Sequence, residues 1–212
     1  MSSDASETFD DAQCAALARL VSAVRRMNDL VVSTSGSVGE LEALAERTEL
    51  LGHELARHAS GKPIPRYRYH EYLEQNLNGL LPYSVVTGRY SPLAPPVEIS
   101  REGDTIVGRV RFANVYEGPP DSVHGGIVSA VYDQLLAMAT LIRGHGGMTA
   151  SLTIQYRRKT PLDRELRWTA WTERIEGRKV FARGACHAGE ELVSEAEGLF
   201  IRPPDARPPD AP

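Results

Sequence analysis

The fold is decided by residues 124–142, which run HGGIVSAVYDQLLAMATLI. From residue 127 to about 142 the stretch is apolar nearly all round, as expected of a helix that is buried on every side. It is shorter than the roughly 20 residues that cross a bilayer, and it carries the charged Asp133. The sequence therefore predicts a buried central helix that is entered through the turn His124-Gly125-Gly126.

Strand patterns flank this helix in the sequence. Alternating apolar and polar residues predict four strands after it, separated by short turns such as Glu176-Gly177, at 149–157, 165–175, 179–187 and 192–201. A strand pattern is also predicted before the helix, from about residue 82 onward. It is clearest where Ile106 and Val110 alternate with polar residues. Short turns between long strands are typical of antiparallel hairpins. We expect an α+β domain in which an antiparallel sheet wraps around one buried helix.

Both ends of the chain lie outside this pattern. Apolar residues at steps of three and four predict one helix over 9–32, and Ser37-Val38-Gly39-Glu40 has the form of a capping box that begins a second. This helical hairpin is interpreted as an extension packed on the main domain or on a partner copy. The end of the chain repeats RPPDA, and because proline cannot join a sheet ladder, a disordered or polyproline II tail is expected. The predicted domains are 1–65, 66–202 and 203–212.

Composition excludes several classes of function. The 24 basic and 28 acidic residues give a net charge of -4, which predicts no general affinity for nucleic acid or for an anionic membrane. Cys14 and Cys186 lie far apart and the six histidines lack metal-binding spacing, so neither a disulfide nor a metal site is expected. The N-terminus is acidic and polar, unlike a signal peptide. We expect a cytoplasmic protein without a membrane-spanning segment.

The turn and the helix carboxylate are the candidate catalytic groups. The first N–H groups of a helix have no partner within it, and the helix dipole adds partial positive charge there. Gly125 and Gly126 lack a Cβ that would keep a ligand away, so these amides favour an oxyanion hole. Because a carboxylate in an apolar helix is expensive to bury, Asp133 must be paired, protonated or functional. On these residues alone, a tight turn and a structural hydrogen-bonding aspartate remain the alternatives.

Helix geometry separates these two groups within one chain. Eight residues at 1.5 Å each put Asp133 roughly 12 Å from Gly125 along the helix axis. A catalytic base and an oxyanion hole must both lie about 3 Å from the reacting carbonyl. We therefore expect a twofold dimer, in which Gly125 or Gly126 of one subunit meets Asp133 of the other at each of two sites.

Several motifs resemble one known family. Val123-His124-Gly125-Gly126-Ile127, with Asp133 nine residues after the histidine, resembles the hotdog-fold thioesterase superfamily. The stretches MTASLTIQYRR at 148–158, EGRK at 176–179 and SEAEGLF at 194–200 resemble the same superfamily. The phenylacetate-pathway type and its mitochondrial acyl-CoA thioesterase relatives are the most similar, over about 82–202. The resemblance implies a hotdog fold and hydrolysis of acyl-CoA thioesters.

The resemblance also implies roles for single residues. Asp133 matches the catalytic carboxylate, and Gly125 and Gly126 match the backbone donors to the thioester carbonyl. His124 matches a histidine that braces the loop, and Thr149 matches a threonine that orients the water or the carboxylate. No metal and no cofactor are implied, apart from the CoA of the substrate. Family members are expected to be dimers or dimers of dimers.

Coenzyme A carries phosphates, which need cations. The candidates are basic residues at one strand end and at one hairpin: Arg157, Arg158, Lys159, Arg178 and Lys179. Solvated strand ends are the alternative for each of them. The motif at Arg158-Lys159-Thr160-Pro161 departs from relatives that have Arg-Pro, which affects the expected loop shape.

Two other functions suit the same fold. A non-catalytic acyl-CoA binding or regulatory module would not need Asp133. A hydratase or dehydratase is a third reading, although the chain has no clear Asp-x-x-x-x-His motif of that chemistry. The acyl group of the substrate is not indicated by the sequence.

Overall fold

The computed structural model describes residues 9–61, 77 and 81–204 of the 212-residue chain. The chain divides into two compact units, Met1–Tyr67 and Arg68–Pro212. The end of the predicted extension at 62–65, the start of the predicted domain at 66–76, and all but two residues of the predicted tail lie outside the described residues. Within those described ranges, no helix is both long and apolar enough to cross a membrane.

The first unit contains two helices, α1 (Asp11–Val31) and α2 (Val38–Ala56). The predicted capping box of α2 is confirmed: Ser37 Oγ accepts from the Glu40 N–H, and the Glu40 carboxylate accepts from the Ser37 N–H at 2.8 Å. The Ser37 hydroxyl also donates to the Glu40 carboxylate at 2.7 Å, and this bond, with the one from the Ser37 N–H, holds the pKa of the Glu40 carboxyl below its ordinary value. Asp10 and Gln13 form a second capping box on α1, which the sequence analysis missed.

The second unit is built on a six-stranded antiparallel sheet. Its elements in chain order are β1 (Glu98–Glu102), β2 (Thr105–Arg111), α3 (Gly125–Leu141), β3 (Met148–Tyr156), β4 (Glu165–Glu176), β5 (Lys179–Ala188) and β6 (Glu191–Ile201). The strand order is β1-β2-β4-β5-β6-β3, so β1 and β3 are the edge strands. The four strands and the helix predicted over 127–201 are confirmed, with ends that differ by one or two residues.

The prediction of strand texture from residue 82 is wrong up to residue 97. Residues 81–97 form successive turns, and the first strand begins at Glu98. This segment contains four prolines, which lack the N–H that a sheet ladder requires. Some of its apolar side chains, such as Val86 and Val97, are still buried in the core.

The hydrophobic core lies between α3 and one face of the sheet. Strand β5 alternates as expected: every second residue from Val180 to Ala188 is buried, and the residues between are more exposed. Glycine on the facing strands lets the helix approach closely: a Cβ at Gly108 would lie 2.9 Å from Leu135 Cδ1. An antiparallel sheet around a buried helix confirms the predicted hotdog fold.

A polar contact inside this core fixes α3 against β6. The Tyr132 hydroxyl donates to the Ser194 carbonyl at 2.7 Å and lies 2.9 Å from Ser194 Oγ. Burial raises the pKa of the Tyr132 phenol and of the nearby Cys186 thiol, so both stay neutral. Because Tyr132 precedes Asp133, this anchor also sets the position of the catalytic candidate along the sheet.

Candidate active site

The loop before α3, residues 117–124, is fixed by backbone hydrogen bonds. The Gly118 N–H donates to the Ser122 carbonyl at 2.8 Å, and the Val123 N–H donates to the Thr160 carbonyl at 2.8 Å. A Cβ at Gly118 would lie 2.7 Å from His124 Cα, a distance that real Cβ atoms do not show. Only a residue without a Cβ at position 118 lets His124 pack where it does. This role of Gly118 was not predicted from the sequence.

His124 caps α3 and occupies the Gly126 N–H, one of the two predicted amide donors. Its Nδ1 accepts from the Gly126 N–H at 3.0 Å, and its carbonyl accepts from the Ile127 and Val128 N–H groups at 2.9 and 3.3 Å. Within residues 9–61, 77 and 81–204, nothing accepts the Gly125 N–H. The donor left open for a ligand in the first helical turn is therefore that of Gly125.

The peptide between the two glycines is held at both ends. Its N–H bonds His124, and its carbonyl oxygen, that of Gly125, accepts from the Tyr156 hydroxyl at 2.9 Å and from Ser129 Oγ at 3.0 Å. The two hydroxyls lie 2.8 Å apart. Tyr156 and Ser129 were not among the predicted site residues. No local spacing links Tyr156 to a helix that starts 31 residues earlier.

Asp133 is less enclosed than the sequence analysis assumed. Its side chain is half-buried rather than buried, because it lies on the side of α3 beside the edge strand β3. Thr149 Oγ1 donates to Asp133 Oδ1 at 2.7 Å, so the structure brings these two predicted residues together. No donor in the described part of the chain bonds Asp133 Oδ2.

Within one chain, Asp133 and the glycine turn are too far apart to act on the same carbonyl. They are separated by eight residues of the same helix, or about 12 Å. Strand β3 runs alongside, with Thr149 beside Asp133 and Tyr156 beside Gly125. Both halves of the candidate site therefore lie along the exposed β3 edge, at opposite ends of it.

The predicted phosphate-binding residues fall into two groups at opposite ends of the sheet. Arg157 and Arg158 follow β3 and pair with Glu195 at 3.0 Å and Glu191 at 2.7 Å. Arg178 donates through Nε to the Arg202 carbonyl. The register Lys179↔Ile201↔Met148 aligns the second group, Arg178 and Lys179, with the start of β3.

The two groups are thus separated in one chain by the length of β3, which is about 26 Å for eight strand steps. Lys159, in the first group, is exposed, as are the other four residues.

Comparison with solved structures identifies a relative over most of the chain. A crystallised thioesterase superfamily protein is 32% identical, with a TM-score of 0.76, and the match covers 87% of this chain and 94% of that one. Because Arg68–Pro212 is only about two thirds of the chain, the likeness extends into the helical first unit.

Curated relatives match the site region. The acyl-coenzyme A thioesterase THEM4 of Xenopus laevis is 37% identical over 90 residues, and human THEM5 is 26% identical over 88 residues. These matches cover 41% of this chain and 40% and 36% of those proteins, so the chain spans about two fifths of their length. The family model described as Thioesterase superfamily matches residues 121–195, which include the glycine turn, Asp133 and Thr149. With these matches, the chain belongs to the thioesterase superfamily.

Proposed function

We propose that this protein hydrolyses acyl-CoA thioesters to a free carboxylic acid and CoA at two sites in a homodimer. In each site Asp133 of one subunit faces the Gly125 N–H of the other. The observation that carries the proposal is that Asp133, aligned by Thr149, and the open Gly125 amide lie at opposite ends of one exposed strand edge. The names of the curated relatives support the same reaction.

The β3 edge supports a dimer of this kind. An edge strand exposes unpaired N–H and C=O groups, and a second copy can satisfy them by antiparallel pairing. A bulge between Thr149 and Ser151 leaves Thr149 and Tyr156 each three ladder positions from Thr153. A twofold axis at Thr153 would therefore lay Thr149 of one copy opposite the partner's Tyr156. Asp133 would then come to the same end of the joined sheet as the partner's Gly125, as a shared site requires.

The same pairing accounts for the separated basic groups. In the dimer, Arg157, Arg158 and Lys159 of one subunit lie at the same end of the joined sheet as Arg178 and Lys179 of the other. The CoA phosphates would lie near that end. Arginine and lysine there supply the charge-assisted hydrogen bonds that phosphate needs.

The chemistry follows from these positions. The thioester carbonyl oxygen accepts the Gly125 N–H, and a donor of this kind typically contributes about 3 kcal/mol to transition-state stabilisation. Asp133 removes a proton from a water that attacks the carbonyl carbon, or it attacks that carbon itself and water opens the resulting anhydride. In both routes the C–S bond breaks, the acid leaves, and the CoA sulfur takes up a proton. Thr149 orients the carboxylate through its hydrogen bond to Oδ1.

The direct test substitutes the carboxylate. Asp133→Asn keeps the size of the side chain and the hydrogen bond from Thr149 but removes the base, so turnover should fall at least 100-fold with the fold intact. The assay incubates the protein with a panel of acyl-CoA thioesters and a free-thiol reagent. Asp163→Asn is the control, because Asp163 is exposed on the β3–β4 connection and is expected to leave activity unchanged.

The outcomes of this panel separate the candidate functions. Release of thiol by the wild-type protein but not by Asp133→Asn supports hydrolysis, and the thioesters that react identify the acyl groups that the enzyme accepts. Near-normal turnover of Asp133→Asn refutes the assignment of Asp133. Tight binding of acyl-CoA without release would indicate a binding module, and loss of an unsaturated chromophore would indicate hydration.

Phosphate binding has its own test. Reversing two charges, in Arg178→Glu with Lys179→Glu, should raise KM for acyl-CoA with little change in kcat, because these residues are far from the reacting carbonyl. Steady-state kinetics over a range of salt concentrations measures the effect. An unchanged KM would remove this hairpin from the CoA site.

A further inference from the structure

We infer that Tyr156 of β3 is a positioning residue for the oxyanion hole, acting together with Ser129. Its hydroxyl holds the Gly125 carbonyl away from the site, so that the neighbouring Gly125 N–H alone faces the substrate. This inference rests on the proposed function, since it concerns the same site.

The need for such a residue follows from the glycine turn. A peptide between two glycines rotates more freely than any other, because neither residue has a Cβ to restrict it. If the Gly125–Gly126 peptide turned, the Gly125 carbonyl would point toward the site and repel the negative charge that develops on the thioester oxygen. His124 Nδ1 holds the N–H end of this peptide, and the two hydroxyls hold its carbonyl end.

Tyr156 contributes something that Ser129 does not. Ser129 Oγ donates to a carbonyl four residues earlier in its own helix, a contact that any helical serine can make. Tyr156 belongs to a different element, so its 2.9 Å bond ties the first helical turn to strand β3. Its ring also lies against the turn: a Cβ at Gly125 would be 3.5 Å from the hydroxyl and 3.6 Å from Cζ.

The strand that carries Tyr156 is also the edge proposed to pair in the dimer. The same residue therefore connects the position of that edge to the geometry of the Gly125 amide. The Tyr156 side chain is half-exposed in the single chain.

The test removes one oxygen atom. Tyr156→Phe should lower kcat about tenfold and leave KM within about twofold, since the Gly125 carbonyl is held less firmly away from the thioester oxygen while the Gly125 N–H donor remains. Adding Ser129→Ala should lower kcat further, because only the helical bond from the Ser129 N–H then holds the Gly125 carbonyl. Ser22→Ala is the control. Ser22 Oγ donates to the Ala18 carbonyl at 2.9 Å, the same contact four residues back that Ser129 makes, but it lies in α1, and kcat should not change.

A second readout does not depend on activity. In protein labelled with 15N-glycine, the Gly126 amide should exchange its hydrogen with solvent faster in Tyr156→Phe than in the wild-type or Ser22→Ala proteins. If turnover of the wild-type enzyme depends on Asp133, an unchanged kcat in Tyr156→Phe would overturn the role of Tyr156. Unchanged Gly126 exchange in that variant would overturn it as well. If the wild-type protein releases no thiol, the proposed function fails, and the exchange measurement still decides whether Tyr156 holds the peptide.

Discussion

Individual hydrogen bonds decide which amide of the glycine turn is open to a substrate. The sequence predicted Gly125 and Gly126 as equal donors, and local geometry alone could not separate them. The choice depends on the His124 imidazole, which accepts the Gly126 N–H. The contact between Tyr156 and Gly125 joins residues 31 positions apart, and such a contact cannot be predicted from local spacing in one sequence.

Thr149 gives a prediction at this scale. Thr149→Val keeps the shape of the side chain but removes the 2.7 Å bond that orients Asp133, so kcat should fall about tenfold. Thr169→Val is the control, since Thr169 lies on β4 and pairs with Ala185 of β5 rather than with the helix. Steady-state kinetics with the best acyl-CoA of the panel checks it. A Thr149→Val enzyme with wild-type kcat would show that the carboxylate needs no orienting partner.

Elements were predicted well where their signals are local. Strands β4, β5 and β6 are separated by turns whose glycines, Gly177 and Gly189, have positive φ angles of 59° and 66°. The apolar run identified α3. Strand β1 was not identified, because EISRE contains a single apolar residue and no alternation. The place of β3 beside β6 at the sheet edge is a non-local pairing, which hydrophobic patterns do not specify.

The loop before α3 carries a prediction at the scale of elements. Gly118→Ala places a Cβ against the His124 backbone, so the loop must shift, and the unfolding free energy should fall by about 1–3 kcal/mol as in overpacked cores. Thermal unfolding measures the loss. Gly39→Ala is the comparison, because its Cβ meets nothing within 4 Å and should not destabilise the protein. Equal unfolding temperatures for Gly118→Ala and the wild type would contradict the close packing of this loop.

At the scale of the whole molecule, the second unit has the fold of its superfamily, and the likeness at 32% identity extends into the first unit. The helix spacing alone predicted that a single chain cannot complete the site. In the structure Asp133 and Gly125 lie at the two ends of one edge strand, which is the arrangement that the proposed dimer requires. The sequence predicted these two groups as partners, but pairing through β3 could be proposed only once that strand was located at the sheet edge.

Subunit complementation tests the shared site most directly. One variant, Asp133→Asn, removes the carboxylate, and the other, Gly125→Pro, removes the N–H donor. Proline fits at this position because it suits the first residue of a helix and because His124 before it has the extended ψ of 130° that a following proline requires. Each variant alone should be inactive. Refolded together, half of the dimers should be mixed and hold one intact site of two, which restores about a quarter of wild-type activity. No recovery, with mixed dimers demonstrated by differently tagged subunits, would contradict a site shared between subunits.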